Sequence, residues 1–389
     1  MTIPTRVSWS GVFGYPTGVS GAGEAGYTPP VLPSDGTFAI FTLGYEIGAS
    51  FIVCGIKRYP CGNYVTWPST TQAFSKIREK YTYATCSSTV TGVGQAQCYS
   101  YNSAAAGNGS VGITQFNNRG LFYCCYYCCC GSIVWNLYSC CYPTGKRDKY
   151  IYAIDTVTAA TDAFNFCTAK TSAVGNSTRG IFTSGYYCSC DWTHNRNKYT
   201  YATDVNTFGG FGWGTFFGSA AGNSTTGIFA LGNKVITCCY NCIHCNTPYS
   251  TTREKYIYAT CTAAVAAASA SVGSKSGAAT GNSTRGIFAL GLICTGTIST
   301  SRDKYTYATD TSTALSGAAL ASNAGSAGSA AGNSTRGIFS VGITGCSTTA
   351  KIRNKYTYAT CVSTTSGVGL ATYTNYFGNA TSWATGVNS

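Results

Sequence analysis

One stretch constrains this chain more than any other. It is Gly281-Asn282-Ser283-Thr284-Arg285-Gly286-Ile287-Phe288-Ala289-Leu290-Gly291, and eighteen residues after Gly286 comes its companion, Lys304-Tyr305-Thr306-Tyr307-Ala308-Thr309-Asp310. Both return along almost the whole sequence. The first element begins at Ala39-Ile40-Phe41 and recurs at Gly120-Leu121-Phe122, Gly180-Ile181-Phe182, Gly227-Ile228-Phe229, Gly286-Ile287-Phe288 and Gly337-Ile338-Phe339. The companions begin at Lys80, Lys149, Lys198, Lys255, Lys304 and Lys355. Self-similarity of this kind means stacked copies of one supersecondary unit. In the second repeat, Gly107-Asn108-Gly109-Ser110-Val111-Gly112-Ile113 also resembles the first element. The register at Arg119-Gly120 is preferred, because Tyr126-Tyr127-Cys128 then aligns with Tyr186-Tyr187-Cys188.

Both elements have the period of strands: they are short, aromatic and β-branched, with alternating character. In Arg302-Asp303-Lys304-Tyr305-Thr306-Tyr307-Ala308 the tyrosines take one face, and Lys304, Thr306 and Ala308 take the other. A sheet with one bulky and one small face stacks on a copy of itself. The Gly-Asn-Ser-Thr run is a turn, since Gly and Asn tolerate positive φ. The Ala/Ser/Gly-rich segment after each companion is expected to supply two more short strands, although propensity alone would allow a helix in Ala263–Ala268.

Spacing separates scaffold from decoration. From each Lys to the next Gly of the first element the distances are 40 (Lys80 to Gly120), 31, 29, 31 and 33 residues. From the first element to its Lys they are 41 (Ala39 to Lys80), 29, 18, 28, 18 and 18. In a repeat array, length variation held in one connection maps to one face, and that face is the candidate for contacts.

A four-stranded unit of about 50 residues is a β-propeller blade. On Gly286–Gly291 and Lys304–Asp310, two strands joined by a variable loop, the sequence resembles the kelch-type propeller family over about residues 36–389. It departs from that family in lacking the Gly-Gly doublet, since Leu292, Asn233 and Ile343 follow the glycine, and in lacking the later Trp. It more closely resembles repeat proteins of environmental bacteria and bacteriophages that carry Gly-Ile-Phe-Ala-Leu-Gly and Lys-Tyr-Thr-Tyr-Ala units. The resemblance implies a propeller and a virion or cell-surface setting. The expected fold is all-β: a six-bladed kelch-like β-propeller with ring closure between N- and C-terminal strands. At the C-terminal end, Gly378-Asn379-Ala380-Thr381 reads as the turn that the first strand at residue 39 lacks. A right-handed solenoid is the alternative. Residues 1–35, rich in Gly, Pro and Ser, match no repeat and read as an extended arm, either strapping the chain's own domain or reaching a neighbouring subunit.

Charged residues make up only 10% of the chain, while Gly (47) and Tyr (30) are abundant. That composition suits an extracellular or virion surface. The formal charge of +13 suggests a polyanion partner. Yet twelve of the 25 basic residues are Arg-x-Lys pairs spread one per repeat, from Arg78/Lys80 to Arg353/Lys355, so no nucleic-acid partner is expected. No apolar run has the length of a membrane span. Met1–Arg6 lacks the charged start and apolar segment of a secretory signal.

Seventeen of the 22 cysteines fall in the variable connections, among them Cys128, Cys130 and Cys140. In an extracellular chain they read as disulfides stapling long loops. Cys239, Cys242, His244 and Cys245 have the overlapping spacings of a zinc or iron–sulfur site, so zinc is the one cofactor considered, against an expectation of none. Cys86, Cys261 and Cys361 alternate with Asp155, Asp204 and Asp310 at one blade position, and are read as tolerated packing. Asn108, Asn176, Asn223, Asn282, Asn333 and Asn379 stand in Asn-x-Ser/Thr sequons. They read first as turn residues and, in a glycosylating host, as glycan sites. His194 and His244 come from different repeats, and the 12 acidic residues show no paired-carboxylate pattern, so no enzyme is expected. The expected function is a non-enzymatic structural or adhesive subunit of an extracellular or virion assembly, homo-oligomeric through residues 1–35. Its interaction loops would include Cys128, Cys130, Trp135, Tyr187, Trp192 and Tyr240. The alternatives are a glycan-binding propeller that recognises cell-surface glycan by stacking on Trp67, Trp135, Trp192 and Trp213, and a metal or redox protein using the Cys-rich loops.

Overall fold

The structure, a computed structural model, describes residues 38–42, 45–52, 70–74, 78–91, 104–115, 118–119, 141–142, 147–160, 172–183, 195–213, 218–230, 232, 249–266, 268–289, 291–293, 299–315, 328–340, 352–365 and 379–382. The expected arm, residues 1–35, lies outside them. The described residues contain no helix, and fold into six four-stranded antiparallel sheets arranged as a six-bladed β-propeller.

Each blade is a meander built on the repeat. Blade 5 runs Ala278–Gly281, Arg285–Ala289, Arg302–Thr306 and Thr311–Ala314. The others follow it. Blade 2 is Ala104–Gly107, Val111–Gln115, Arg147–Ile151 and Thr156–Ala159. Blade 3 is Ala173–Gly175, Arg179–Thr183, Asn195–Thr200 and Val205–Phe211. Blade 4 is Ser219–Gly222, Thr226–Ala230, Arg253–Ile257 and Thr262–Val265. Blade 6 is Ser329–Gly332, Arg336–Ser340, Arg353–Thr357 and Val362–Thr364. The segment Ala263–Ala268, whose propensity allowed a helix, thus contributes to an outer strand, because the sheet edge beside Arg253–Ile257 pairs with it.

Blade 1 closes the ring. Its second to fourth strands are Phe38–Thr42, Arg78–Thr82 and Ser87–Val90, and its innermost strand is Asn379–Ser382 from the other end of the repeat array. Ala39 lies opposite Ser382 and Thr42 opposite Asn379. The first strands of all six blades neighbour one another around the axis. Closure is therefore as expected, but its chemistry differs. Asn379 opens an inner strand and is not the turn residue that its Gly-Asn-Ala-Thr context suggested, because Ser382, and not Asn379, occupies the position that Gly107 or Gly175 holds in the other blades.

The second repeat also needs a correction. Its second strand is Val111–Gln115, with Ile113 opposite Lys149, as Ile181 is opposite Lys198. Arg119 belongs to a two-residue strand paired with Cys141–Tyr142, beyond the blade. The deciding group is Asn108, whose side chain closes the preceding turn like every other turn asparagine. With this register Lys80 to Gly112 is 32 residues, beside 31, 29, 31 and 33 elsewhere. The scaffold segment becomes still more constant.

The glycines of the signature have a steric reason. The last residue of the first strand and the second residue of the next are paired glycines, as in Gly175 with Gly180 and Gly281 with Gly286. The second tyrosine of the companion lies across this flat pair. A Cβ on Gly281 would stand 2.8 Å from the Tyr307 hydroxyl, and one on Gly286 would stand 2.9 Å from it. Side chains at those two positions and a flat-lying tyrosine cannot coexist at native packing density.

The core consists of six junctions between blades, each with the same polarity. Ile287 and Ala289 of blade 5 pack on Phe339, Tyr356 and Tyr358 of blade 6. Ile338 of blade 6 packs on Phe41, Tyr81 and Tyr83 of blade 1, and Phe38 and Ile40 of blade 1 pack on Tyr150 and Tyr152 of blade 2. The small face of one blade meets the bulky face of the next, a heterologous contact that a ring must close.

Candidate functional site

Alternation along the third strand aims Arg302 and Lys304 at the following blade, and Asp303, Tyr305 and Tyr307 at the preceding one. The arginine at the start of each third strand is completely enclosed: Arg78, Arg147, Arg196, Arg253, Arg302 and Arg353 are the largest buried side chains among the described residues. A buried guanidinium needs charge compensation and stacking. Stacking comes from the next blade. Arg253 lies 4.7 Å from the centroid of Phe288, Arg302 4.5 Å from Phe339, and Arg353 4.5 Å from Phe41. The cation–π contacts of these arginines therefore lie between blades.

Charge compensation is supplied at four junctions. Arg78 pairs with Asp148 at 3.1 Å, Arg253 with Asp303 at 2.8 Å, Arg353 with Glu79 at 2.6 Å, and Arg196 with Glu254. At the other two junctions the carboxylate position holds Asn197 and Asn354. Around the ring the position reads Glu, Asp, Asn, Glu, Asp, Asn. Blades 1–3 and 4–6 therefore carry the same order of junction chemistries, and the two carboxylate-free junctions sit opposite each other. Burial pushes the Arg302 guanidinium down to about 9, with no carboxylate to restore it. Burial also pulls Arg78 down, to about 10, against the pull of Asp148.

A second ring of contacts joins the third-to-fourth turns. Each turn has one residue in the left-handed region: Cys86, Asp155, Asp204, Cys261, Asp310 and Cys361, with φ between 50° and 56°. Asp tolerates that conformation, whereas Cys there is uncommon. The aspartates meet the lysine of the preceding blade, in Lys80–Asp155, Lys149–Asp204 and Lys255–Asp310, at 2.7–3.1 Å. Where the turn residue is Cys, the preceding blade supplies an additional cation from the head of its second strand. Arg336 lies 3.8 Å from the Cys86 sulfur, Arg285 3.8 Å from Cys361, and Arg179 4.0 Å from Cys261. Where the turn residue is Asp, that second-strand position holds Phe38, Val111 or Thr226. The Cys/Asp alternation is thus one half of a six-for-six pairing across junctions. Cys86, Cys261 and Cys361 are free thiols.

A third ring uses the sequon asparagines. The Asn282 carbonyl oxygen accepts the backbone N–H groups of Thr284 and Arg285, while its amide donates to the Ser334 carbonyl of the next blade at 3.1 Å. Asn108, Asn176 and Asn223 likewise donate to Ser177, Ser224 and Ser283. Asn333 closes its own turn in the same way. In Asn108, Asn176, Asn223 and Asn282 the amide is a fastening as well as a turn element.

In a meander, first-to-second and third-to-fourth turns share one end, and second-to-third connections leave from the other. The second and third rings therefore belong to the short-turn face, while the buried arginines lie within the junctions at the other end of the blades, where the variable connections leave. Two of these connections begin by continuing the blade as a hairpin, Tyr45–Ile52 with Thr70–Phe74, and Asn118–Arg119 with Cys141–Tyr142. The expected metal residues Cys239, Cys242, His244 and Cys245 lie beyond the described residues, as do Cys128, Cys130, Trp135, Tyr187, Trp192 and Tyr240. Among the described residues no group of His, Cys, Asp or Glu is placed to hold a metal ion, and no helix is long and apolar enough to cross a membrane.

One feature escaped the repeat pattern. The outer strand of blade 3, Val205–Phe211, is longer than its counterparts and presents Phe208 and Phe211 to solvent, 4.9 Å apart and edge to face. Two residues after Phe211, Trp213 is 44% exposed, its backbone N–H held by Glu254 of blade 4. The Phe-Gly-Gly-Phe-Gly-Trp run carries that signal, but only as a departure from the Ala- and Thr-rich outer strands elsewhere. Against protein-family models and curated protein sequences, nothing matches the chain.

Proposed function

We propose that the protein is a non-enzymatic structural and adhesive subunit of an extracellular or virion assembly, using the propeller as a rigid frame that displays loops from one face. The supporting observation is the division of labour along the repeat. Ladder register, junction polarity and turn chemistry repeat blade after blade, while length varies between Ala39 and Lys80, Gly112 and Lys149, or Gly227 and Lys255, all connections on one face. A scaffold that holds every position but one constant is organised for display. Seven of the twelve Arg-x-Lys cations are engaged in ion pairs between blades, so these residues are spread through the junctions rather than gathered in one basic patch. Kelch-like kinship, loop disulfides and homo-oligomerisation through residues 1–35 are part of the same proposal. Exchanging the blade 4 connection, residues 231–252, for the shorter blade 5 connection, residues 290–301, tests it. The exchange should leave thermal unfolding unchanged and abolish incorporation into the native assembly; normal incorporation would refute it.

A second reading has one observation in its favour. Phe208 and Phe211, in edge-to-face contact, and Trp213 two residues on are exposed aromatic side chains of the kind that stack on sugar rings. Glycan-array binding lost in Trp213→Ala would support it, and an array without hits would count against it.

A further inference from the structure

At three of the six junctions the short-turn face gathers cations without a carboxylate. Arg336 and Lys355 of blade 6 face Cys86, Arg285 and Lys304 of blade 5 face Cys361, and Arg179 and Lys198 of blade 3 face Cys261. The arginines are placed by their contacts to sulfur, and the lysines by register with Lys80, Lys149 and Lys255. None of these six cations makes an ion pair among the described residues. The junctions with one cation hold an aspartate, and those with two hold an uncharged atom.

A second observation concerns the tyrosine beneath each turn. In blades 3 and 5 the Tyr199 and Tyr305 hydroxyls donate to Asp204 and Asp310 at 2.5 and 2.9 Å. In blades 1 and 6, Tyr81 and Tyr356 are fully buried and their hydroxyls turn to Cys86 and Cys361 without reaching any nitrogen or oxygen partner. Each is a buried donor that faces only a thiol sulfur, a weak acceptor; the Tyr150 hydroxyl of blade 2 has no nitrogen or oxygen partner either, although its turn carries Asp155. In blade 4 the donor is already used, because the Tyr256 hydroxyl reaches the Gly209 carbonyl at 2.7 Å.

We propose that Cys86 and Cys361 are oxidation sites, converted by hydrogen peroxide to sulfinates that take the place carboxylates hold at Asp204 and Asp310. In the first step the ionised sulfur attacks one peroxide oxygen, an S–O bond forms as the O–O bond breaks, and sulfenate and water result. A second peroxide repeats the exchange, giving sulfinate and a second water; sulfur loses two electrons in each step and peroxide gains them. The –SO2 group then accepts from the arginine, the lysine and the tyrosine hydroxyl, tightening the junctions between blades 6 and 1 and between blades 5 and 6. Cys261 shares the cations but not the open tyrosine donor, so it is the internal comparison.

The test is peroxide titration of the full-length protein, with site-resolved mass spectrometry of each cysteine. Sulfinate should accumulate at Cys86 and Cys361 about fivefold over Cys261, the factor supplied by one added hydrogen bond. Arg336→Gln should remove the excess at Cys86 and leave Cys361 unchanged. Cys86→Asp, a residue the same turn carries in blades 2, 3 and 5, should raise the melting temperature. Equal oxidation of the three thiols, or a Cys86→Asp variant that melts lower than the native chain, would overturn the proposal.

Discussion

Removing the same arginine from two junctions should have opposite consequences. Arg253 and Arg302 open equivalent strands, are equally enclosed, and stack on Phe288 and Phe339. Arg253 faces Asp303, which is itself fully buried and also accepts from the Ser271 backbone N–H and hydroxyl. Arg302 faces Asn354, and burial has already driven its guanidinium down to about 9. Arg253→Met strands a buried carboxylate, which costs about 3–5 kcal/mol. The two Ser271 bonds place the loss near the lower end. Arg302→Met exchanges an uncompensated charge for an apolar chain of similar length, and is neutral or stabilising by about 1 kcal/mol or more. For a ring of this size a kilocalorie corresponds to roughly 1–2 °C. Differential scanning calorimetry should therefore show Arg253→Met melting at least about 3 °C lower, with Arg302→Met at or above the native value. Equal losses at the two sites would refute the assignment of Asp303 and Asn354 as the deciding difference.

Other consequences can be checked alongside. Gly286→Ala forces the Tyr307 hydroxyl and Phe288 ring to shift, costing about 1–3 kcal/mol in denaturant titration, and Tyr307→Phe in the same chain should restore part of it. Asn282→Ala loses the turn cap and the bond to Ser334, about 1–2 kcal/mol, whereas Asn282→Asp keeps the cap and should cost less. Tyr81, Tyr201, Tyr256, Tyr258, Tyr305, Tyr307, Tyr356 and Tyr358 are all raised above 10, chiefly by desolvation. Their stabilisation is complete below pH 10, where the unfolded chain also keeps its phenols protonated, and is lost as pH rises towards the folded values. Arg78, Arg196, Arg253, Arg302 and Arg353, all lowered by burial, act in the opposite sense, but five groups oppose eight. The melting temperature should hold to about pH 10 and fall above it; a rise would contradict this balance. Deleting residues 379–389 opens blade 1 and should replace one calorimetric transition by a broader, lower one.

The scaffold was legible because its constraints are local. Period-two alternation marked the strands, and six copies fixed the number of blades. Complementary ends pointed to closure. The register of blade 2 was misjudged because Arg119-Gly120-Leu121-Phe122 matches the local motif better than Val111-Gly112-Ile113-Thr114. What decides between them is non-local: Asn108 reaching the Ser177 carbonyl of the next blade and Ile113 standing opposite Lys149. The junction chemistry was hidden for the same reason. Cys86 alternating with Asp155 has no meaning in one repeat, because its partner Arg336 lies 250 residues away and reaches it only after the ring closes. The expected loop site, from Cys239 to Cys245, lies where sequence repeats give least guidance, in the connection that differs between blades.

Electron microscopy of the native material tests the central claim most directly. The account predicts six-bladed rings joined to their neighbours through residues 1–35, with the face that carries the long connections of blades 1, 2 and 4 also in contact and the short-turn face, marked by Asn108, Asn176, Asn223 and Asn282, left free. Isolated rings, or rings joined through that short-turn face, would contradict it.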